Sequence, residues 1–171
     1  KPNRTGVDTF ATSGLSIRHD MSKGFPLITT KRIAKKTMLV ELEGFIKGIT
    51  SKQWFKDRGC NIWNEWCNPQ KVPYGNDTET QAKMEAEDDL GPIYGAVWND
   101  FNGVNQLKKI IDTLRINPCD RRMICTAWKP DILDQQALPP CHFNWQVIVV
   151  GDRIDLVWGQ RSVDFFLGCP I

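Results

Sequence analysis

Two stretches near the end of the chain alternate between apolar and polar residues with a period of two. Their apolar residues are Phe143, Trp145, Val147 and Val149 in the first stretch and Ile154, Leu156 and Trp158 in the second. Pro139 and Pro140 precede the first stretch and cannot donate to a sheet ladder, so the strand is expected to begin after them. Gly151 and Asp152 separate the stretches, and glycine opens a type II′ turn without steric cost. The pattern therefore predicts a β-hairpin.

The short turn also predicts which residues meet at the open end of this hairpin. If the residues that flank the turn pair with each other, His142 lies opposite Arg161 and Cys141 lies opposite Ser162. A cationic arginine near a cysteine favours the thiolate, which is the nucleophilic form. Arg161 and Ser162 are also good hydrogen-bond donors to a phosphate. The open end of the hairpin thus indicates a nucleophile beside an anion site.

Apolar residues recur at intervals of three and four residues in two other parts of the chain, which is typical of amphipathic helices. The first predicted helix covers residues 33–48, with an apolar stripe of Met38, Leu42, Phe45 and Ile49. The second covers residues 103–117, with a stripe of Val104, Leu107, Ile110, Ile111 and Leu114. Glu41 lies at the edge of the first stripe. It is either an edge residue that reaches solvent or a buried catalytic acid or base with a raised pKa.

Weaker patterns predict shorter elements. Residues 5–20 alternate loosely and predict a strand pair or a bent strand, and residues 123–128 predict another strand. Ser51 is suited to cap a short helix. Arg121 and Arg122 stand at the start of the second of these strands, where they are either solvated or bind a phosphate or a carboxylate together.

Trp63 and Trp66 lie three residues apart in a polar setting. Because tryptophan is usually largely buried, core packing is one interpretation of the pair. Stacking of a planar ring ligand on one of the two indoles is the other.

The composition is that of one globular domain covering residues 1–171, in which the polar residues 68–90 form a surface insertion. The chain is 41% hydrophobic and 25% charged, and its net charge of +2 gives no case for DNA binding through bulk charge. No apolar run is long enough to span a membrane and no signal peptide is recognisable, so a cytoplasmic protein is expected. With two histidines and no Cys-x-x-Cys pair among six cysteines, no metal site is expected.

Several motifs occur together and in order along the chain. They are Arg4-Thr5-Gly6, Gly24-Phe25-Pro26-Leu27, Thr29-Thr30-Lys31-Arg32, Glu41-Leu42, Ile62-Trp63, Trp66, Asp89-Leu90-Gly91-Pro92-Ile93-Tyr94-Gly95, Asp120-Arg121-Arg122, Ala127-Trp128, Ala137-Leu138-Pro139-Pro140-Cys141-His142, Gln146, Gln160-Arg161-Ser162, Asp164 and Leu167-Gly168. Through these motifs the chain resembles the thymidylate synthase family over essentially its whole length. That family includes pyrimidine hydroxymethylases. Because the chain stops straight after Leu167-Gly168-Cys169-Pro170, we expect it to be incomplete at its C-terminus.

The resemblance implies an α/β (α+β) fold in which a mixed β-sheet is flanked by helices and two subunits pack sheet against sheet. It implies the reductive methylation of dUMP to dTMP. The one-carbon donor and reductant would be 5,10-methylenetetrahydrofolate, which leaves as dihydrofolate, and no metal takes part. In this reaction a thiolate adds to C6 of the uracil, so that C5 becomes a carbon nucleophile.

Residue roles are implied by position. Catalytic roles fall to Cys141 as the nucleophile, with Glu41, Tyr94, His142 and Arg161. The dUMP-binding positions are Arg4, Arg121, Arg122, Cys141, Gln160, Arg161, Ser162, Val163 and Asp164. The folate-contacting positions are Ile62, Trp63, Trp66, Asp164 and Leu167. Arg121 and Arg122 match a pair that reaches the phosphate bound by the other subunit, so the resemblance implies a homodimer.

Two departures from the family pattern leave an alternative reaction open. Ala34 stands where many relatives have a histidine, and Gly44 stands where a tryptophan is common. These smaller residues are expected to leave space on the folate side of the cavity. Water admitted there would capture the methylene intermediate in place of hydride. The alternative function is therefore a dUMP or dCMP hydroxymethylase of the same fold.

Overall fold

The computed structural model describes residues 8, 10–27 and 32–164. The helices are α1 (Lys35–Ile46), α2 (Lys52–Lys56), α3 (Thr78–Ala86), α4 (Tyr94–Asn99) and α5 (Gln106–Ile116), and the strands are β1 (Ile124–Thr126), β2 (His142–Val150) and β3 (Arg153–Gln160). Short 3-10 helices cover Met21–Lys23 and Pro130–Gln135. The predicted combination of helices and a sheet is confirmed. Within the described residues the sheet has the order β1-β2-β3 and is antiparallel throughout, so the parallel pairing that a mixed sheet also contains is not among these strands.

The predicted hairpin is present, but its open end has a different register. Gly151 has a φ of +63°, and Val150 pairs with Arg153 as expected. The register then shifts between His142 and Asn144, so that His142 pairs with Gln160 and not with Arg161. The cause is a β-bulge, in which one extra residue on β2 displaces the remaining pairs by one position.

Helix α1 buries only part of the apolar stripe that the sequence predicts. Gly44 and Phe45 are buried, whereas Leu42 is 46% exposed. A Cβ atom at Gly44 would overlap the ring of Phe55, and one at Gly95 of α4 would overlap the backbone of Phe45. The two glycines therefore allow close packing of α1 against its neighbours. The space expected at Gly44 is not there, because Phe55 occupies it.

Helix caps account for the start of two helices. The Ser51 hydroxyl accepts a 3.2 Å hydrogen bond from the backbone N–H of Trp54, as predicted. Asn105 accepts one of 2.8 Å from Lys108, so α5 begins later than its apolar pattern suggests. Ile110 on the predicted stripe is buried. The strand predicted at residues 123–128 is confirmed as the shorter β1.

Two further predictions concern the polar parts of the chain. Residues 10–20 contain no strand, although a strand pair or bent strand was predicted over 5–20. Phe10, Leu15 and Ile17 are exposed, so their alternation does not correspond to a buried sheet face. The predicted insertion at 68–90 contains α3.

Candidate active site

The loop that carries Cys141 is held at both of its backbone polar groups. The N–H of Cys141 donates a 3.0 Å hydrogen bond to the hydroxyl of Tyr94, which lies at the start of α4. The carbonyl oxygen of Cys141 accepts a 2.9 Å hydrogen bond from the N–H of Arg161. Cys141 is half-buried and has a free thiol. A half-buried thiol on a fixed backbone is suited to act as a nucleophile on a ligand that enters from solvent.

The side chain of Arg161 is attached to the same loop. Its Nε donates a 3.0 Å hydrogen bond to the carbonyl oxygen of Pro140, and its Nη2 donates one of 2.9 Å to that of Pro139. The guanidinium carbon also lies 5.7 Å from the ring centroid of Trp128. Since these contacts occupy two of the five N–H donors of an arginine, donors remain for an anion. The predicted proximity of Arg161 to Cys141 is confirmed, although it arises from a backbone pair and not from the predicted register.

The β-bulge determines which way His142 faces. In regular alternation His142 and Trp145 would lie on opposite faces of β2. Instead both contact α4, since the His142 ring stacks on Tyr94 with a centroid distance of 4.1 Å and Trp145 packs against Trp98 at 5.9 Å. Burial lowers the pKa of His142 to about 4, so the imidazole is neutral near neutral pH. Burial also raises the pKa of Tyr94 well above its usual value, which keeps its hydroxyl protonated.

Glu41 is a carboxyl group in an aromatic environment. The indole Nε1–H of Trp63 donates a 2.9 Å hydrogen bond to its Oε1. Burial raises the pKa of Glu41 to about 7, and the bond from Trp63 offsets only part of that shift. Glu41 is half-buried, and its raised pKa together with the bond from Trp63 favours an acid or base over an edge residue that reaches solvent. A group that titrates near neutral pH is suited to general acid–base catalysis.

Phe45 joins these groups, although the sequence marks it only as part of an apolar stripe. Its ring stacks on Tyr94 with centroids 4.7 Å apart and meets Trp63 edge-on at 6.3 Å. On the other side of the cluster, Trp158 of β3 lies 5.1 Å from the His142 ring. The alternation of β3 could have identified Trp158, because it shares a sheet face with its partner on β2.

Comparison with known proteins agrees with the motifs. A model of the thymidylate synthase family matches residues 1–171. The chain is 42% identical to the thymidylate synthase of Mycoplasma genitalium and 41% identical to that of Mycoplasma pneumoniae, in each case over 182 aligned positions that cover 99% of this chain. It is also 38% identical to the thymidylate synthase of Mycoplasma mobile over 99% of its length. The chain belongs to the thymidylate synthase family. It spans 63% of the length of these curated relatives.

The anion-binding positions expected from the thymidylate synthase family continue beyond β3. Gln160 is half-buried at the end of that strand and pairs with His142. Ser162, Val163 and Asp164 follow it and are exposed. The expected dUMP-binding position Arg4 and the expected folate-contacting position Leu167 lie outside the described residues. Gln160 and Arg161 are thus joined to the Cys141 loop, and the three positions that follow them face solvent.

Arg121 and Arg122 lie next to β1, at the opposite edge of the sheet from β3. Both are exposed. The carbonyl oxygen of Arg121 accepts a 2.8 Å hydrogen bond from Nε2 of Gln146, and the guanidinium of Arg122 is paired with Asp120. The structure therefore does not join this pair to Arg161 within one chain.

The expected folate-contacting positions differ in burial. Trp63 is 3% exposed, Trp66 is half-buried, and Ile62 is 51% exposed. The Oδ1 atom of Asn64, between the two tryptophans, is buried and has no hydrogen-bond partner among the described residues. Of the three expected positions, Trp66 and Ile62 therefore offer accessible apolar surface to a planar ring, whereas Trp63 is part of the core.

The described ranges are residues 8, 10–27 and 32–164. In those ranges no three His, Cys, Asp or Glu side chains form a group that could hold a metal ion. None of the helices from α1 to α5 combines the length and apolar character needed to cross a membrane.

Proposed function

We propose that this chain is the catalytic part of a cytoplasmic thymidylate synthase that converts dUMP to dTMP. The observation that carries the proposal is Cys141 at the start of β2, which is held by Tyr94 and Arg161 in a chain of this family. In the proposed reaction the Cys141 thiolate adds to C6 of the uracil. That addition makes C5 nucleophilic, and the thiolate leaves again once the new carbon–carbon bond has formed and the C5 proton has been lost.

The remaining residues of the site have proposed roles in binding and proton transfer. Arg161 and Ser162 bind the dUMP phosphate through N–H and O–H donors, and Arg4 closes over it. Glu41 serves proton transfer to and from the pyrimidine, because its pKa of about 7 allows both protonation states at neutral pH. The protonated hydroxyl of Tyr94 and the neutral ring of His142 are polar groups that lie around the pyrimidine base of dUMP in this proposal.

The one-carbon unit and the reducing electrons require a second ligand, 5,10-methylenetetrahydrofolate. When it is bound, it supplies a methylene group and then a hydride, and it leaves as dihydrofolate. Ile62, Trp63, Trp66, Asp164 and Leu167 are proposed to contact it.

A homodimer is part of the proposal. On the face of the sheet that points away from the helices, the apolar side chains of Ile124, Val150 and Val157 are each about half exposed. Such a patch is typical of a protein interface. Packing of two subunits through this face would allow Arg121 and Arg122 to complete the neighbouring phosphate site.

Product analysis tests the proposed reaction in the full-length protein. Incubation with dUMP and 5,10-methylenetetrahydrofolate is expected to give dTMP and dihydrofolate in equal amounts. Formation of 5-hydroxymethyl-dUMP with tetrahydrofolate would contradict the proposal and would identify a hydroxymethylase. The structure removes one argument for that alternative, because Phe55 fills the space beside Gly44.

A further inference from the structure

Asp120 makes three hydrogen bonds to Arg122, and none of the roles proposed above uses them. Its Oδ1 accepts a 2.8 Å bond from the backbone N–H of Arg122 and a 3.0 Å bond from Nε. Its Oδ2 accepts a 2.8 Å bond from Nη2. The Asp120 side chain is only 12% exposed, whereas that of Arg122 is 88% exposed. A shielded carboxylate thus holds both the backbone and the guanidinium of an exposed arginine.

The geometry of this pair determines which donors of Arg122 are left. A guanidinium has five N–H donors in one plane, and Asp120 uses those on the edge formed by Nε and Nη2. The edge formed by Nη1 and the second Nη2 hydrogen points away from Asp120. This edge has the spacing that binds two oxygens of a phosphate.

The backbone beside Arg122 is also fixed. Nε2 of Gln146 donates a 2.8 Å hydrogen bond to the carbonyl oxygen of Arg121. Gln146 lies in the central strand β2, where it pairs with Ile124 of β1 and Val157 of β3. The turn that carries the two arginines is therefore attached to the middle of the sheet.

We infer that Asp120 is a positioning residue, which holds the free edge of Arg122 ready for the phosphate of a nucleotide bound by another subunit. The inference rests on the proposed function, since that function supplies the phosphate. Asp120 does not itself contact the ligand. It acts through Arg122.

Two effects of Asp120 on phosphate binding oppose each other. Its negative charge weakens the attraction of Arg122 for an anion, whereas the fixed side chain loses less conformational freedom on binding. Because Arg122 is highly exposed, water and salt screen the first effect. The second effect remains, since a long exposed side chain otherwise loses rotamer freedom when it binds. We therefore expect Asp120 to favour binding.

Equilibrium binding of dUMP and of deoxyuridine to the full-length protein tests this inference. Asp120→Asn keeps an oxygen that can accept from the backbone N–H of Arg122, but it removes the second acceptor and the charge. We expect dUMP to bind about tenfold more weakly to this variant. Deoxyuridine, which has no phosphate, should bind equally well to both proteins. Unchanged or tighter dUMP binding, or an equal loss for deoxyuridine, would overturn the inference.

Asp155→Asn is a matched control. Asp155 forms the same kind of pair with Arg153, with distances of 2.7 Å to Nε and 3.1 Å to Nη2, at the turn end of β3. This variant should bind dUMP as the parent does. In an Arg122→Ala background, Asp120→Asn should have no further effect on dUMP binding. A further loss there would show that Asp120 acts by another route and would also overturn the inference.

The outcomes separate this inference from the proposed function. A parent protein that fails to bind dUMP would contradict the proposed function. A parent that binds and converts dUMP, together with an Asp120→Asn variant that binds it equally well, would contradict only the positioning role.

Discussion

Trp63 donates the hydrogen bond to Glu41 at 2.9 Å, and the indole is almost fully buried. A hydrogen bond to a carboxylate favours its charged form, whereas burial disfavours it. The effect of burial is the larger of the two here, and the pKa of Glu41 therefore rises from 4.5 to about 7. The folded protein therefore binds a proton at Glu41 more tightly than the unfolded chain does.

This difference predicts a dependence of stability on pH. Between about pH 4.5 and pH 7 the unfolded chain has lost the Glu41 proton while the folded protein keeps it, so the free energy of unfolding falls as pH rises. The decrease in the free energy of unfolding is complete above the pKa of Glu41 in the folded protein and amounts to about 3 kcal/mol. In Glu41→Gln the step should be absent. Urea unfolding of both proteins across this range measures the difference.

Two other titratable groups bear on the comparison of the parent protein with Glu41→Gln. Burial lowers the pKa of His142 to about 4, so His142 gives the opposite trend, but it does so in both proteins and cancels. Glu43 is the matched control on the same helix. It is exposed, and its bond to Lys47 lowers its pKa. Glu43→Gln should therefore retain the step, and a Glu41→Gln protein that also retained it would contradict the assignment.

The hairpin shows what an alternating pattern can predict. The two strands, the turn at Gly151 and the closeness of Cys141 to Arg161 followed from it. The position of His142 did not, because the bulge between His142 and Asn144 leaves no mark in the alternation of β2. The contact of His142 with Tyr94 was therefore beyond sequence reasoning, although both residues were predicted to belong to the site.

Helix α1 illustrates a different limit. The stripe predicts that Leu42 is buried, but the helix turns Gly44 towards Phe55 and leaves Leu42 exposed. A helical pattern of period 3.6 is recognised from apolar side chains, and glycine has no side chain. The pattern therefore gives no sign that the surface at Gly44 is buried. The helical pattern did single out Glu41 but left two interpretations of it open, and only the structure shows that burial raises its pKa.

Replacement of Cys141 by serine tests the nucleophile. We expect Cys141→Ser to abolish turnover of dUMP while dUMP binding persists, because a serine hydroxyl is a far weaker nucleophile than a thiolate. Turnover assays and equilibrium dialysis of the full-length protein measure the two properties. Cys119→Ser is the control, since Cys119 is an exposed thiol with no proposed role of its own. Parental activity in Cys141→Ser would remove Cys141 from its role.

Removal of the Tyr94 hydroxyl tests the support of the Cys141 loop. Tyr94→Phe leaves the backbone N–H of Cys141 without its 3.0 Å partner. Because Cys141 is half-buried, the lost hydrogen bond costs about 1 kcal/mol, so both the free energy of unfolding and the turnover rate should fall.

Tyr74→Phe serves as the comparison for Tyr94→Phe. The Tyr74 hydroxyl contacts the carbonyl oxygens of Cys67 and Ala137. Tyr74→Phe should also lower the free energy of unfolding, but it should reduce the turnover per folded molecule less than Tyr94→Phe does. Equal turnover in the two variants would argue against a specific role of Tyr94.

Gly44→Ala tests the packing of α1. Alanine is the better helix former by about 1 kcal/mol, so in an open position the change would stabilise the protein. Here the new Cβ would overlap the ring of Phe55, and overpacking of this kind costs about 1–3 kcal/mol. We expect a net loss in the free energy of unfolding, measured by urea denaturation. In a Phe55→Leu background the ring is gone, and the same change should be neutral or stabilising. An equal loss in both backgrounds would show that Phe55 is not what confines residue 44 to glycine.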